Sequence, residues 1–315
     1  MKTKLLLHEL TQKEFLLQQY LEKYPSLLQF SKSINIPYED LVEAFEIEKK
    51  FHEMILNEKL KSNRKALYQR LYSTVHPIYQ RSKSNNQYCC EIKSRYALLF
   101  KKELRNKSIL DVGCGQGAFL ISCARLSKTL NTLKLCGLDV TIPNNDIIEQ
   151  YPQIEFINSD ITEFKVDQKF DVIYSNHVLE HMATDDLNTH LTSIKEALNI
   201  GGTLIINMPN RLFGPSDVSR IIDFSYTGKI QSMGSHLNEL TYNELISILK
   251  KYEFINFRTV FPHTKLRYLF RFFRMSTTIL CKLEKSKFFL NFLHSMKYHK
   301  TCIAKLEISI ICNKK

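Results

Sequence analysis

Three glycines at alternate positions, Gly113, Gly115 and Gly117, stand behind the apolar run Ser108-Ile109-Leu110-Asp111-Val112 and ahead of Ala118-Phe119-Leu120-Ile121-Ser122-Cys123-Ala124. A strand, a glycine turn and a helix in that order put backbone N–H groups and a helix N-terminus at the carboxyl end of a strand, where a ligand can approach the main chain. Gly113-x-Gly115 alone is a weak signal, since Gly113-x-Gly115-x-x-Ala118 also satisfies the dinucleotide pattern that admits alanine at its third position. Asp111 argues against a dinucleotide: a carboxylate so close to the turn repels a pyrophosphate and attracts an ammonium group. Further carboxylates follow other apolar runs at Asp139 and Asp160, and each taken alone is equally well a turn or cap residue.

A second group can handle protons. His177, Glu180 and His181 are spaced i, i+3 and i+4, so on a helix all three share one face. That pattern suits a metal site or a general base, and equally helix-start hydrogen bonding and pocket lining. His236 is a further candidate base. The stretch 209–236 follows a strand and so belongs on the ligand side of a sheet. Its Arg211, Asp217 and Arg220 can orient a polar acceptor, or Arg211 and Asp217 can simply pair within the loop.

These residues need a scaffold that presents strand ends. From Lys2 to about Leu104 the apolar positions recur at three- and four-residue steps, which predicts a helical N-terminal region over 1–104. Pro37-Tyr38-Glu39-Asp40 reads as a helix start with acids at its positive end. After Lys107 the texture alternates. Strands are predicted at 108–112, 133–139, 154–157, 170–174 and 203–208, with helices between them, notably 184–198. A helix at 241–252 and strands at 255–260 and 305–311 complete the domain over 105–315. This is an α/β class chain with a doubly wound, Rossmann-like parallel sheet. A basic, aromatic segment at 262–301 is inserted before the last strand.

The run Ile109-Leu110-Asp111-Val112-Gly113-Cys114-Gly115-Gln116-Gly117 resembles the first motif of the class I S-adenosylmethionine-dependent methyltransferases. Gly137-Leu138-Asp139, Asn158-Ser159-Asp160-Ile161 and Phe170-Asp171-Val172-Ile173-Tyr174-Ser175-Asn176-His177-Val178-Leu179-Glu180-His181 follow in that family's order, so the resemblance covers about 107–260 plus the final strand. It implies S-adenosyl-L-methionine as cofactor. Asp111, Gly113, Gly115 and Gly117 would hold the methionine part, Asp139 the ribose hydroxyls, Asp160 the adenine amino group and Ile161 the ring, with Asn176 lining the site. The segments 177–181 and His236-Leu237-Asn238-Glu239-Leu240-Thr241 look most like enzymes that methylate small molecules, such as ubiquinone O-methyltransferases. His177 stands where those enzymes carry Glu, and no metal is assigned. Ser175-Asn176-His177-Val178 replaces the Asn-Pro-Pro-Tyr signature of amino-purine methylation, which lowers DNA as a substrate. The implied function is methyl transfer, at oxygen, to a small-molecule acceptor that is lipophilic or glycan-linked. The alternative is a nucleic-acid-binding methyltransferase or a catalytically silent S-adenosylmethionine-binding module.

Composition bounds the remaining possibilities. The 315 residues, 44% hydrophobic and 24% charged, describe a globular chain rather than a disordered one. Eight scattered cysteines without a C-x-x-C pair point to reduced thiols and a cytoplasmic protein, and no long apolar run or leader is legible at the start. Of the net charge of +12, the stretch 262–300 holds +8, with nine cations against Glu284. On one continuous helix Leu266, Leu269, Phe270, Phe273 and Leu280 would form one face and Arg267, Arg271, Arg274, Lys282 and Lys285 another. Such a helix packs as a lid or rests on an anionic membrane surface.

Overall fold

The computed structural model describes residues 2–81, 96–261, 266–295 and 307–315, and side chains from residue 12 onward. Cys89, Cys90 and Cys302 lie outside the described residues, as do Lys265, Lys297, Tyr298 and Lys300 of the basic stretch. Two compact units are present, cut differently from the 1–104 and 105–315 division: residues 1–84 with 211–237, and residues 85–210 with 238–315.

The first unit is helical. It holds α1 (Lys2–Lys23), α2 (Ser26–Ile34), α3 (Tyr38–Asn57) and α4 (Lys61–Arg81). Leu41, Phe45, Phe51 and Ile55 of α3 and Leu67, Leu71, Val75 and Ile78 of α4 are buried at the helical repeat, so each helix turns one apolar stripe inward. Glu48 interrupts the α3 stripe and is buried as well. Residues 211–237 join this unit because Asp217, Glu48 and their hydrogen bonds to the chain at 234–236 tie the segment to α3.

The second unit is the sheet. Its strands are β1 (Ser108–Val112), β2 (Lys134–Asp139), β3 (Ile154–Asn158), β4 (Phe170–Asn176), β5 (Leu198–Met208), β6 (Phe254–Thr259), β7 (Met275–Ser276) and β8 (Ile308–Lys314). They run in the order β3-β2-β1-β4-β5-β8-β6-β7. The first five pair in parallel, while β8 inserts antiparallel between β5 and β6. The order reverses direction between β1 and β4, which makes the carboxyl ends of these strands the ligand edge of a doubly wound sheet. Alternating side chains supply two cores. Ile109, Val172, Tyr174, Ile205 and Ile311 meet α5 (Ala118–Arg125) and the chain at 97–104 on one face. Leu110, Ile173, Leu204, Ile206 and Ile310 meet α6 (Thr184–Ala197) and α7 (Tyr242–Lys251) on the other.

The basic insertion is not the continuous amphipathic helix its periodicity suggests. It breaks into a single turn at Leu266–Leu269, the edge strand β7, α8 (Thr277–Lys285) and α9 (Lys287–Ser295). Two of its supposed solvent-facing cations turn inward. Arg267 is buried against Glu307 at 2.9 Å, and the Arg274 guanidinium forks onto Glu103 at 2.7 and 2.8 Å. Its one acid, Glu284, accepts from the backbone N–H groups of Tyr242 and Asn243 at 3.0 and 3.2 Å and from Asn210 Nδ2 at 2.9 Å, capping α7 from a distance in sequence. Among the described residues, no helix is long and apolar enough to cross a membrane.

Candidate active site

Asp111 lies in β1 with its side chain buried, and the chain then makes a left-handed turn at Gly113 (φ 77°). The N–H groups of Gly113 and Cys114 both donate to the carbonyl of Leu138, at 2.8 and 3.2 Å, which folds the turn back over the end of β2. A side chain at Gly113 would place its Cβ 2.4 Å from Val178 Cγ2, so the position admits only glycine. Gly115 (φ 52°) differs: no atom lies within 4 Å of where its Cβ would be. The turn therefore presses on the protein at its first glycine and opens away from it at the second. Gly117 precedes the first residue of α5. Cys114, within the turn, is no nucleophile at neutral pH, because burial and the nearby Asp111 and Asp139 carboxylates push its thiol far up.

Asp139 ends β2, and its Oδ2 accepts the Gly115 N–H at 2.8 Å while Oδ1 accepts the Thr141 N–H at 3.1 Å. Thr141 Oγ1 also donates to Oδ1, at 3.4 Å, so the carboxylate fixes the glycine turn and keeps its further acceptor capacity chiefly on Oδ2. Asp160 follows β3. Its Oδ1 accepts from the Thr162 N–H and Oγ1 at 2.9 and 2.8 Å, a turn-closing arrangement, and half-buried Ile161 packs against the core beside it. Behind Ile161, whose carbonyl bonds to His190 Nδ1, the His190 ring is fully buried and its Nε2 has no hydrogen-bond partner.

Asn176 closes β4, opposite Asn207 of β5. Its Oδ1 is buried and has no hydrogen-bond partner. His177 comes next with a left-handed backbone (φ 56°), its N–H donating to the Asn207 carbonyl at 2.9 Å. The expected shared helical face is absent: residues 179–181 form one 3-10 turn and His177 lies before it. The contact survives by other means. His177 Nδ1 lies 2.8 Å from Glu180 Oε1, with Glu180 fully buried and the imidazole half-exposed. A carboxylate accepts, so this contact turns Nδ1 of the imidazole toward Glu180 and Nε2 away from it. His181 is half-buried, and the Glu180 carbonyl accepts the Asn238 N–H at 3.0 Å.

Thus Asp111, Gly113, Gly115, Gly117, Asp139, Asp160, Ile161, Asn176, His177, Glu180 and His181 gather at the carboxyl ends of β1 to β4. Arg211, Asp217, Arg220 and His236 belong to the helical unit instead. There Asp217 accepts from the N–H groups of Ser219, Gly234 and His236 at 2.9, 3.0 and 3.2 Å, so its carboxylate organises its own loop. Arg220 is buried with its guanidinium 3.8 Å from the Tyr226 ring centroid. Sequence reasoning missed Glu48, which a helical apolar stripe conceals, and His190, for which no local signal exists.

A family model described as "Methyltransferase domain" matches residues 81–261, more than half of the chain. The mitochondrial ubiquinone biosynthesis O-methyltransferase of Dictyostelium discoideum is 25% identical over 185 residues, covering 52% of this chain and 55% of that protein. Trans-aconitate 2-methyltransferase of Enterobacter sp. (strain 638) is 33% identical over 118 residues, covering 35% of this chain and 42% of that protein. The chain therefore spans about half the length of the curated relatives it matches. Among solved structures, the 1,6-didemethyltoxoflavin-N1-methyltransferase of Burkholderia thailandensis, with bound 1,6-didemethyltoxoflavin and S-adenosylhomocysteine, aligns over 78% of this chain and 87% of its own at TM-score 0.48 and 15% identity. The family match, spanning the glycine turn and all the strand ends described above, makes this chain a member of the class I S-adenosylmethionine-dependent methyltransferases.

Proposed function

We propose that the protein transfers a methyl group from S-adenosyl-L-methionine to the oxygen of a small acceptor that is lipophilic or glycan-linked. The observation that carries the cofactor reading is Asn176 Oδ1, a buried acceptor with no protein donor at the strand end beside Asp111. Leaving such a group unsatisfied costs about 1–3 kcal/mol, which a ligand ammonium would offset. The remaining residues fit the same ligand. Gly115 leaves open space beside its backbone, and Asp139, which binds two N–H groups and the Thr141 hydroxyl, keeps acceptor capacity on Oδ2 for a ribose hydroxyl. Asp160 and Ile161 supply an acceptor and an apolar surface suited to an amino-purine.

When bound, the cofactor supplies an activated methyl on a sulfonium. The chain then has to align the acceptor oxygen and take its proton. Alignment alone can contribute roughly 7–11 kcal/mol to such a displacement. His177 is the base in this reading, because Glu180 fixes its Nδ1 side while the imidazole stays half-exposed. Glu180 acts through His177 as a positioning residue, and His181 and His236 are secondary candidates. Arg211, Asp217 and Arg220 are proposed to serve the acceptor, Asp217 by shaping the loop rather than by direct contact.

Calorimetry with S-adenosylmethionine tests the cofactor site. The parent protein is expected to bind, and Asp139→Ala to weaken binding by about tenfold to a hundredfold, the equivalent of one charged hydrogen-bond partner. No binding by the parent would overturn the proposal. Labelled methyl transfer across fractionated lipid, quinone and glycan extracts then identifies the acceptor class.

A further inference from the structure

The insertion at 266–295 is built inside out. Its arginines Arg267 and Arg274 and its acid Glu284 are buried in pairs and caps; Leu280 is buried and Tyr268, Cys281 and Leu283 pack on the core, but most of its other aromatic and aliphatic side chains face outward. Leu269 is 74% exposed, Phe272 69% and Phe288 84%, with Phe273, Ile279 and Phe292 each more than half exposed. The helix α9 carries Phe288, Phe289, Leu290, Phe292 and Leu293, yet none of its nine residues is buried. A helix that short is marginal in water without a surface to lie on. Isolated exposed apolar residues need no explanation, but a run of them concentrated in one segment marks an interaction surface.

Charge selects the occupant. Arg271, Lys282, Lys285 and Lys287 are exposed within the same segment, and no acidic side chain of 266–295 is, since Glu284 is buried. Large apolar side chains flanked by cations suit the headgroup boundary of an anionic bilayer, where the rings enter the acyl edge and the cations stay with the phosphates. A single-stranded nucleic acid would use the rings for stacking but would gain nothing from Leu269 and Ile279. The charged anchors Arg274–Glu103, Arg267–Glu307 and Glu284 hold the segment to the sheet unit while this surface faces away from its core. We infer that residues 266–295 form a docking surface for an anionic phospholipid membrane, lying on it without spanning it. The inference is independent of the methyl-transfer reading, since lipid binding by this surface requires neither cofactor nor acceptor.

Co-sedimentation of the full chain with phosphatidylcholine vesicles, with and without phosphatidylglycerol, tests it. The parent is expected to pellet with anionic vesicles and to be released by salt. Lys282→Ala with Lys285→Ala should lower partitioning about 25-fold, about fivefold per cation. Phe272→Ser with Phe288→Ser should lower it by about tenfold or more at unchanged melting temperature, because both rings are exposed in the free protein. Recovery of the parent in the supernatant with both vesicle types would overturn the inference, as would equal partitioning of the parent and the phenylalanine variant. Retention on single-stranded RNA without vesicle binding, or a dimer that the phenylalanine variant abolishes without vesicle binding, would likewise assign the surface to another occupant.

Discussion

Replacing Glu48 by Gln should make the helical unit more stable near neutral pH and leave it little changed in acid. Glu48 sits in the apolar stripe of α3, 2% exposed, with Oε1 accepting from Tyr79 Oη of α4 and Oε2 from the Ser235 N–H, both at 2.7 Å. Asp217 is the second carboxylate of this site: a Cβ placed on Gly234 would be 2.6 Å from Asp217 Oδ2 and 2.7 Å from Glu48 Oε2. His52 packs there too, with Nδ1 on the Gly234 carbonyl at 2.8 Å. Burial first, and then the Asp217 charge, push the Glu48 carboxyl up to about 7 from an ordinary 4.5, against the pull of the Tyr79 and Ser235 hydrogen bonds. The folded state thus holds its proton more tightly than the unfolded chain. Stability from this group is complete below about pH 4.5, declines as pH rises through the interval up to about 7, and is lost above it. The shift corresponds to roughly 3 kcal/mol at about pH 8.

Glutamine cannot ionise, so Glu48→Gln removes that decline. Its amide can keep the Ser235 bond through oxygen and donate to Tyr79 Oη, and any cost of the rearrangement, about 1 kcal/mol, is the same at every pH. The informative quantity is therefore a difference: the variant minus parent stability at about pH 8 should exceed the same quantity at about pH 4.5 by roughly 2–3 kcal/mol. Because the chain holds two compact units, one melting curve would mix them. Native-state hydrogen exchange in peptides covering 38–57 and 211–237 isolates the helical unit. A variant-to-parent difference that does not change with pH would refute the reasoning, since it would mean that Glu48 is already ionised in the folded protein at both pH values or unshifted by burial.

Two other outcomes test separate parts of the molecule. The imidazole of His190, pushed down to about 4 by burial, is neutral in the folded sheet unit, so its contribution is present above the ordinary value of 6.5 and lost as pH falls toward 4. His190→Gln should flatten the acid limb of protection in 184–197 over that window, and an unchanged limb would remove His190 as its cause. His177→Gln should reduce kcat about a hundredfold and leave the S-adenosylmethionine Kd within about twofold; an unchanged kcat would transfer the base to His181 or His236.

The parts of the fold that were legible in the sequence are those with local causes. Ile109 and Leu110 face opposite cores because a strand has a period of two, and the Gly113 turn is legible because only glycine accepts both its backbone angle and the approach of Val178. The carboxylates ending β2 and following β3 could be placed because they come directly after apolar runs. What failed depended on distant partners. His177, Glu180 and His181 have helical spacing, but Val178 must tuck beneath Gly113 and Glu180 must turn inward, so the chain makes a left-handed residue and one 3-10 turn instead of a helix. The backbone changed, yet the His177–Glu180 pairing remained available through that turn.

The insertion shows how such a failure alters a functional argument. A helical period sorts Arg267 and Arg274 onto a wet face because charge belongs in water by default, and the acids that reverse this, Glu307 and Glu103, are 40 and 171 residues away. Once those two cations are neutralised in buried pairs, the cations left exposed between 266 and 295 are Arg271, Lys282, Lys285 and Lys287. A dense cationic face becomes a sparse set of cations among outward-facing phenylalanines. Breaking either buried pair would strand a charge in the interior at a cost of about 3–5 kcal/mol, so these arginines resist turning outward to restore the amphipathic pattern. The apolar side chains are held outward by the same anchors, and the proposed membrane-facing surface rests on where the charges are buried as much as on where the rings are exposed.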